Sequence, residues 1–300
     1  MENVQNAMQA QPAPAKKKKV FSKSFLAVKI VVFVFFAIYA ASLIYPIIYA
    51  FFTSLKTHAE YKTFNPNGLP QQWLFSNYVE AFTEMQKTGY GVFTMLLNSL
   101  WYTLGSTILS VIMSSMTAYV VAKYNFPGKK LIYAVSMFVM MIPIVGAMPS
   151  QFRIYTALGI IDSPLIIITF ASGLGFNFVV LYSFYQSLSW EYAEAAFVDG
   201  ASDFRVFIQI MLPQTFSIML AIGVVASITY WNDYMGPLLF LEHYPTIATG
   251  LYLYQARSVQ NMNEPVYFAA LLMSMIPVIA LFVAFQNTLM DMSFGGGLKG

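Results

Sequence analysis

Cysteine is absent from all 300 residues, which excludes disulfide frameworks, thiolate zinc sites, iron–sulfur clusters and cysteine nucleophiles. Histidine is almost absent. His58 and His243 lie far apart and neither belongs to an H-E-x-x-H or similar pattern, so a metalloenzyme is not expected. No G-x-S-x-G elbow is present, and the glycine-rich end from Gly295 to Gly300 lacks the spacing and the Ser/Thr of a P-loop. No catalytic residue is assigned, and any ATP has to be bound by another subunit. Charge is scarce as well: 16 Lys+Arg and 13 Asp+Glu make 10% of the chain, against about 25% in a soluble domain. The net charge of +3 rests mostly on the Lys16–Lys19 run, which gives no face for nucleic acid.

What the chain has is apolar surface. Hydrophobic residues make up 58% and aromatics 17%, more than one globular core of this length can hide. Residues 1–25, Gln/Ala/Pro-rich and then basic, read as a disordered cytoplasmic tail. Six charge-free runs follow: Ile30–Leu55, Thr88–Ala122, Leu131–Phe152, Ser163–Trp190, Val206–Asn232 and Pro265–Met290. Each exceeds the roughly 20 residues a helix needs to cross a bilayer. Lipid offers no partner to open backbone, and the runs lack the alternation of barrel strands, so helices are required. The expectation is an all-α, multi-pass membrane protein, a six-span domain over residues 26–300. Its approximate spans are 28–52, 90–122, 131–151, 163–187, 214–240 and 266–289. Pro143, Pro149, Pro277, Gly173 and Gly175 interrupt them, as membrane bundles tolerate. With both termini in the cytoplasm, 11 basic residues fall inside and 5 outside, the orientation the positive-inside rule favours.

The loop between the fourth and fifth runs, residues 188–213, departs from that rule. It reads EYAEAAFVDGASDFRVFIQIMLP from Glu191 to Pro213, acidic and alanine-rich. Ala193, Ala195 and Ala196 favour helix, Gly200 suits a left-handed stop, and Ser202 suits the cap of a second helix. A helix-turn-helix with Glu191 and Glu194 exposed has the make-up of a docking element, since anionic lipid would repel four carboxylates accompanied by one arginine.

Glu194-Ala195-Ala196, then Gly200, then Ile210-Met211-Leu212-Pro213 resembles the EAA signature of ABC-importer permeases. Asp199-Gly200-Ala201 is similar to the version in the carbohydrate, maltose-type branch, as a second permease carries it. Trp231-Asn232-Asp233-Tyr234, Thr249-Gly250-Leu251, Phe268-Ala269-Ala270 and the Gly296–Gly300 end look like that branch's later landmarks. The segment Leu188-Ser189-Trp190-Glu191-Tyr192 departs from the Ile-Pro-x-Glu-Leu often found before the motif. The resemblance implies a six-helix, type I importer permease of the bacterial cytoplasmic (inner) membrane that pairs with a homologous second permease and two ATPase subunits, fed by an extracytoplasmic sugar-binding protein. This chain then binds no cofactor, and ATP and Mg sit on the partners. The coupling residues it implies are Glu191, Glu194, Ala195, Ala196, Asp199, Gly200, Ala201, Ile210, Leu212 and Pro213.

Sugar recognition needs hydrogen-bonding groups beside aromatic faces, which makes Asn177, Trp231, Asn232, Asp233 and Tyr234 candidates for the substrate path. By similarity, the stretch from about Leu241 to Glu264 faces the binding protein, with Tyr244, Tyr252, Tyr254 and Arg257 as contacts. The competing reading is a secondary transporter or channel with no ATPase partner. Such carriers place ionisable residues in their spans and often show internal repeats. Here the runs are defined by having no charge, and no clear repeat is visible.

Overall fold

A computed structural model describes residues 23–87, 89–141, 146–257 and 262–295. Among them the fold is helical throughout, with no strand. The expected tail, Pro143 and the Gly296–Gly300 landmark lie outside the described residues. The chain divides into two units, residues 1–49 and 50–300. The first is described from α1 (Lys23–Ser54), whose side chains from Leu26 to Ile48 are exposed on every face. An all-apolar helix with no buried face is a helix solvated by lipid or by another membrane helix.

The second unit is built around α3 (Val92–Lys123). Lipid removes the hydrophobic drive between helices, so they pack through small and hydroxylated side chains instead. Ser99, Thr103, Ser106, Ser110 and Ser114 recur every three or four residues along α3 and are all buried, which puts them on one face. Against α3 lie α6 (Phe176–Ser187) and α9 (Leu212–Trp231). Tyr185 of α6 joins them: its hydroxyl pairs with Ser115 at 2.7 Å and with Thr215 at 3.1 Å. Phe178, Leu181, Met211 and Ile222 complete the main core around it.

Before α3 comes α2 (Ser76–Gln86), and between α3 and α6 come α4 (Lys129–Met141) and α5 (Met148–Ala157). After α6 follow α7 (Glu191–Val198) and α8 (Asp203–Val206). A π-helical turn, Phe207–Met211, runs from α8 into α9. Beyond α9 are α10 (Met235–Phe240), α11 (Ile247–Arg257) and α12 (Glu264–Gly295), the last enclosing Pro277. A second core joins α2, α11 and α12 to the start of α3 through Ala81, Met95, Leu251 and Ala269.

Four described helices are long and apolar enough to cross a membrane: Leu26–Ser54, Val92–Lys123, Asp203–Trp231 and Glu264–Met290. Where the sequence predicts spans at 131–151 and 163–187, the structure has shorter pieces. The 13 residues of α4 reach only about 20 Å at 1.5 Å per residue. Residues 163–187 form a 3₁₀ turn, Pro164–Phe170, then non-helical backbone, then α6. Gly173 and Gly175 make that break, with φ of 64° and 96°. The Ser136 hydroxyl accepts a hydrogen bond from the Gly175 N–H at 2.9 Å, so the freed backbone is satisfied by a neighbouring helix. The fifth expected span, 214–240, begins earlier, at Asp203, and ends at Trp231. The second helix predicted for the loop is thus the first turns of that span.

Candidate functional site: the 188–213 segment and the outer pocket

The acidic segment folds as a short helix held between two fixed ends. At its start the Ser189 hydroxyl accepts the Glu191 N–H at 3.2 Å, satisfying one of the amides that an α-helix leaves open. Within α7, Ala193 is fully buried and packs with Ala196 and Phe197 on the main core. Glu191, Tyr192, Glu194, Ala195 and Val198 face outward. Among the described residues Glu191, Glu194, Asp199 and Asp203 form no ion pair. An eight-residue helix is too short to be stable alone, so its small buried face is what keeps it folded.

Gly200 ends α7 as anticipated. Its φ is +80°, its N–H bonds to the Phe197 carbonyl at 3.0 Å, and the Ala201 N–H bonds to the Ala196 carbonyl at 2.9 Å. This pair of bonds is the Schellman motif. A Cβ at Gly200 would meet nothing within 4 Å, so the demand for glycine is conformational, worth about 1–2 kcal/mol, and not steric. Ser202 has extended backbone but makes no side-chain cap. The helix start is held instead by Asp203, whose Oδ1 accepts the Tyr124 hydroxyl at 2.6 Å. Burial, joined by the hydrogen bond to the Asp203 carboxylate, pushes the Tyr124 phenol well above its ordinary value. Ile210 and Leu212 are half-buried and Pro213 is exposed. Proline lacks the N–H that would bond four residues back and crowds that carbonyl; the π turn just before it absorbs the mismatch.

The residues predicted for the substrate path separate into three places. Trp231, Asn232 and Tyr234 line a cavity of about 390 Å³ together with Tyr252, Gln255 and Tyr267. Tyr234 and Tyr252 stack at 4.8 Å, the Tyr267 hydroxyl donates to Gln255 at 3.3 Å, and the Trp231 indole N–H is taken by the Ser274 carbonyl at 3.1 Å. Aromatic faces with amide edges are the lining a sugar ring fits. Asp233 points elsewhere. It accepts the Tyr102 hydroxyl at 2.7 Å and the Gly236 N–H at 3.0 Å, a structural clasp at the start of α10. Asn177 lies in another part of the bundle, donating to Ser110 at 3.3 Å.

Of the predicted binding-protein contacts, Tyr252 is exposed and Tyr244 is half-buried against Trp101 at 6.1 Å. Tyr254 is only 5% exposed; burial, with Glu84 and Glu80 nearby, pushes its phenol up to about 12. The Arg257 side chain lies outside the described residues. Two features escaped the sequence reading. Lys56, counted as an outer basic residue, is 1% exposed and donates to the carbonyls of Asn65 and Pro66 at 2.8 and 3.0 Å. Burial lowers its pKa, and the nearby Glu60 carboxylate works against that shift. His243 meets Asp162 through both its ring and its backbone N–H.

Comparison with known proteins fixes the family. Residues 110–290 match the binding-protein-dependent transport system inner membrane component family, and α6, the acidic segment and α9 fall within them, with the C-terminal part of α3. The chain belongs to this family. As a transport component of the inner membrane, this permease is not an enzyme. It is similar to the diacetylchitobiose uptake system permease NgcG of Streptomyces coelicolor, 30% identical over 83% of this chain and 82% of the relative. The sulfoquinovosyl glycerol permease SmoH of Agrobacterium fabrum is 28% identical over 92% and 96%. The trehalose permease SugB of Mycobacterium tuberculosis is 26% identical over 85% and 92%. Among solved structures, a chain of a bacterial ABC transporter that imports the acidic polysaccharide alginate superposes with a TM-score of 0.75 at 26% identity, over 90% of this chain and 99% of that one.

Proposed function

We propose that this permease is one of two homologous membrane subunits of an ATP-driven importer for a sugar or oligosaccharide, and that α7 is its contact with a separate ATPase subunit. The observation that carries the coupling assignment is the exposed face of α7. It presents Glu191, Glu194 and Val198 to solvent on a helix whose other face is anchored to the core, which is the build of a surface awaiting a basic partner. The sugar class rests on the relatives and agrees with the aromatic and amide lining beside Trp231 and Asn232. ATP and Mg then belong to the partner subunits, and this chain binds neither.

In this reading both termini are cytoplasmic and the chain crosses the membrane six times. The stretches around α4 and across the break before α6 supply the third and fourth crossings. Tyr244 and Tyr252 lie on the extracytoplasmic side, towards a binding protein. Nucleotide-driven closure of the ATPases displaces α7 and tilts the attached helices between inward-open and outward-open states.

The test is purification of the tagged complex from its native cell in mild detergent, with mass spectrometry of what stays bound. The expected result is a P-loop ATPase and a second permease, both retained by the unmodified chain. The ATPase is lost from Glu194→Lys and Gly200→Val variants that still insert. Recovery of the chain alone, transporting in vesicles without ATP, would overturn the proposal in favour of a secondary carrier.

A further inference from the structure

Two adjacent residues at the end of α3 hold both ends of the acidic segment. Lys123 is the last residue of α3, and its Nζ donates to the Leu188 carbonyl at 2.6 Å, the residue that closes α6. The same ammonium lies over the Trp190 ring, 5.8 Å from its centroid. Tyr124, the next residue, donates its hydroxyl to Asp203 at 2.6 Å, the first residue of α8. It also meets Trp190 edge-on, with ring centroids 5.8 Å apart. Behind it, the Tyr119 hydroxyl pairs with that of Tyr124 at 3.2 Å, and the Tyr119 ring packs on Phe207 at 5.0 Å and Tyr185 at 5.5 Å. Lys129, at the start of α4, donates to the Tyr124 carbonyl at 3.2 Å.

Leu188 and Asp203 are fifteen residues apart in sequence, yet both are tied to one helix end. The two ties have an ionised partner on one side, which makes them the strong kind of hydrogen bond. With them in place, neither end of the α7 segment slides along α3 without breaking the bond that holds it. Without them, α7 keeps its chain connections and the small buried face around Ala193. Burial and the Asp203 carboxylate raise the Tyr124 phenol, so the second tie keeps its donor throughout the physiological range.

We propose that Lys123 and Tyr124 are positioning residues that lock the ends of the coupling segment to α3, so that a displacement of α7 by its partner moves α3 together with α6 and α9. The proposal rests on the reading of α7 as the ATPase contact. It adds a third helix to the moving body, and that helix bears the stripe of buried hydroxyls on which the bundle is packed.

The experiment is a distance measurement in the intact complex, reconstituted in nanodiscs with its ATPase and second permease. Nitroxides are placed on Tyr192→Cys, at the flank of the docking face of α7, and on Leu104→Cys in α3, positions that are 59% and 53% exposed. The absence of native cysteine from this chain leaves those labels unambiguous, once any partner cysteines are replaced. Electron–electron double resonance then compares the nucleotide-free and MgATP–vanadate states. With the bracket intact the label separation is expected to agree within about 2 Å between states, the scale of helix adjustment inside a rigid body. In Lys123→Gln/Tyr124→Phe it is expected to change by more than that or to broaden, while Lys123→Arg, which keeps the charge, restores the narrow distribution. Tyr124→Phe alone, lacking one oxygen, serves where the double variant fails to assemble, and is expected to show the same change in smaller measure. A separation that changes in the unmodified complex, or stays fixed in the bracket variants, overturns the proposal. Glu194→Lys separates the two layers. If it leaves ATPase binding and vanadate trapping intact, the docking reading falls and the bracket with it. If it abolishes them while the bracket variants behave like the unmodified chain, the bracket alone falls.

Discussion

A single carboxylate joins two loops that are remote in sequence. Asp162 is the one non-glycine residue with positive φ among those described, at 53°. It holds that conformation because both faces of it are bonded. Its N–H donates to the Phe240 carbonyl at 2.7 Å, and its carboxylate accepts the His243 N–H at 2.8 Å as well as the imidazole. Burial would raise the Asp162 carboxyl, but the bonds from the His243 backbone and ring outweigh it and bring the pKa below the usual value. The bond to Asp162 and its charge raise His243, Glu242 adding to the effect. The signs define a window. The histidine term is fully present below about pH 6.5 and is lost as pH rises through the elevated value. The aspartate term is present above about pH 4 and is lost as pH falls through the depressed value. Histidine-selective NMR across pH 5 to 9 is expected to show His243 titrating above the ordinary histidine value, and Asp162→Asn is expected to bring it down towards that value.

At the scale of the element, the break between Phe170 and Phe176 is the feature to probe. A Cβ at Gly173 would sit 2.5 Å from Thr117 Oγ1 and 3.2 Å from the Met113 carbonyl, at a φ of 64°. Backbone here approaches α3 as closely as a side chain normally would, so Gly173→Ala meets a collision and an unfavourable left-handed dihedral together. A loss of about 2–4 kcal/mol is expected, read as a lower melting temperature in detergent, whereas Gly200→Ala meets only the dihedral and should lose less. The same contrast explains what was legible in the sequence. The EAA-like segment could be read because helix, glycine stop and proline are all local signals. The broken span was anticipated only as glycines that interrupt a run, because hydropathy averages over the residues where the helix stops. The bracket left no trace, since nothing in Lys123-Tyr124 reveals a partner 65 or 79 residues away.

For the whole molecule, the charge-free runs located the membrane-embedded stretches, and the long helices Val92–Lys123 and Glu264–Met290 fall where two of them predict. Burial was less legible. Lys56 counted only as a basic residue on the outer side and is a buried plug beneath the 57–66 loop, while Tyr254 counted as a contact and is interior. A residue's surroundings depend on chain returning from elsewhere, which spacing does not encode. The candidate substrate residues scattered for the same reason: Trp231 and Asp233 are two apart in sequence and point into different surroundings.

The π turn at Phe207–Met211 amounts to one residue more than a regular helix would hold between Asp203 and Trp231. It therefore works as a phase setter, fixing the angle at which everything before it meets everything after it. Wound as uniform α-helix with no residue removed, the same stretch would carry everything N-terminal to Phe207 round by about 100° and along by about 1.5 Å relative to α9. Asp203 would leave Tyr124, and the acidic face of α7 would be aimed at a different neighbour with its own composition untouched. Excising Ile208 takes out the surplus residue together with the π turn, so the angle is kept. This deletion is expected to yield a chain that inserts, packs α9 normally and still retains its ATPase on purification.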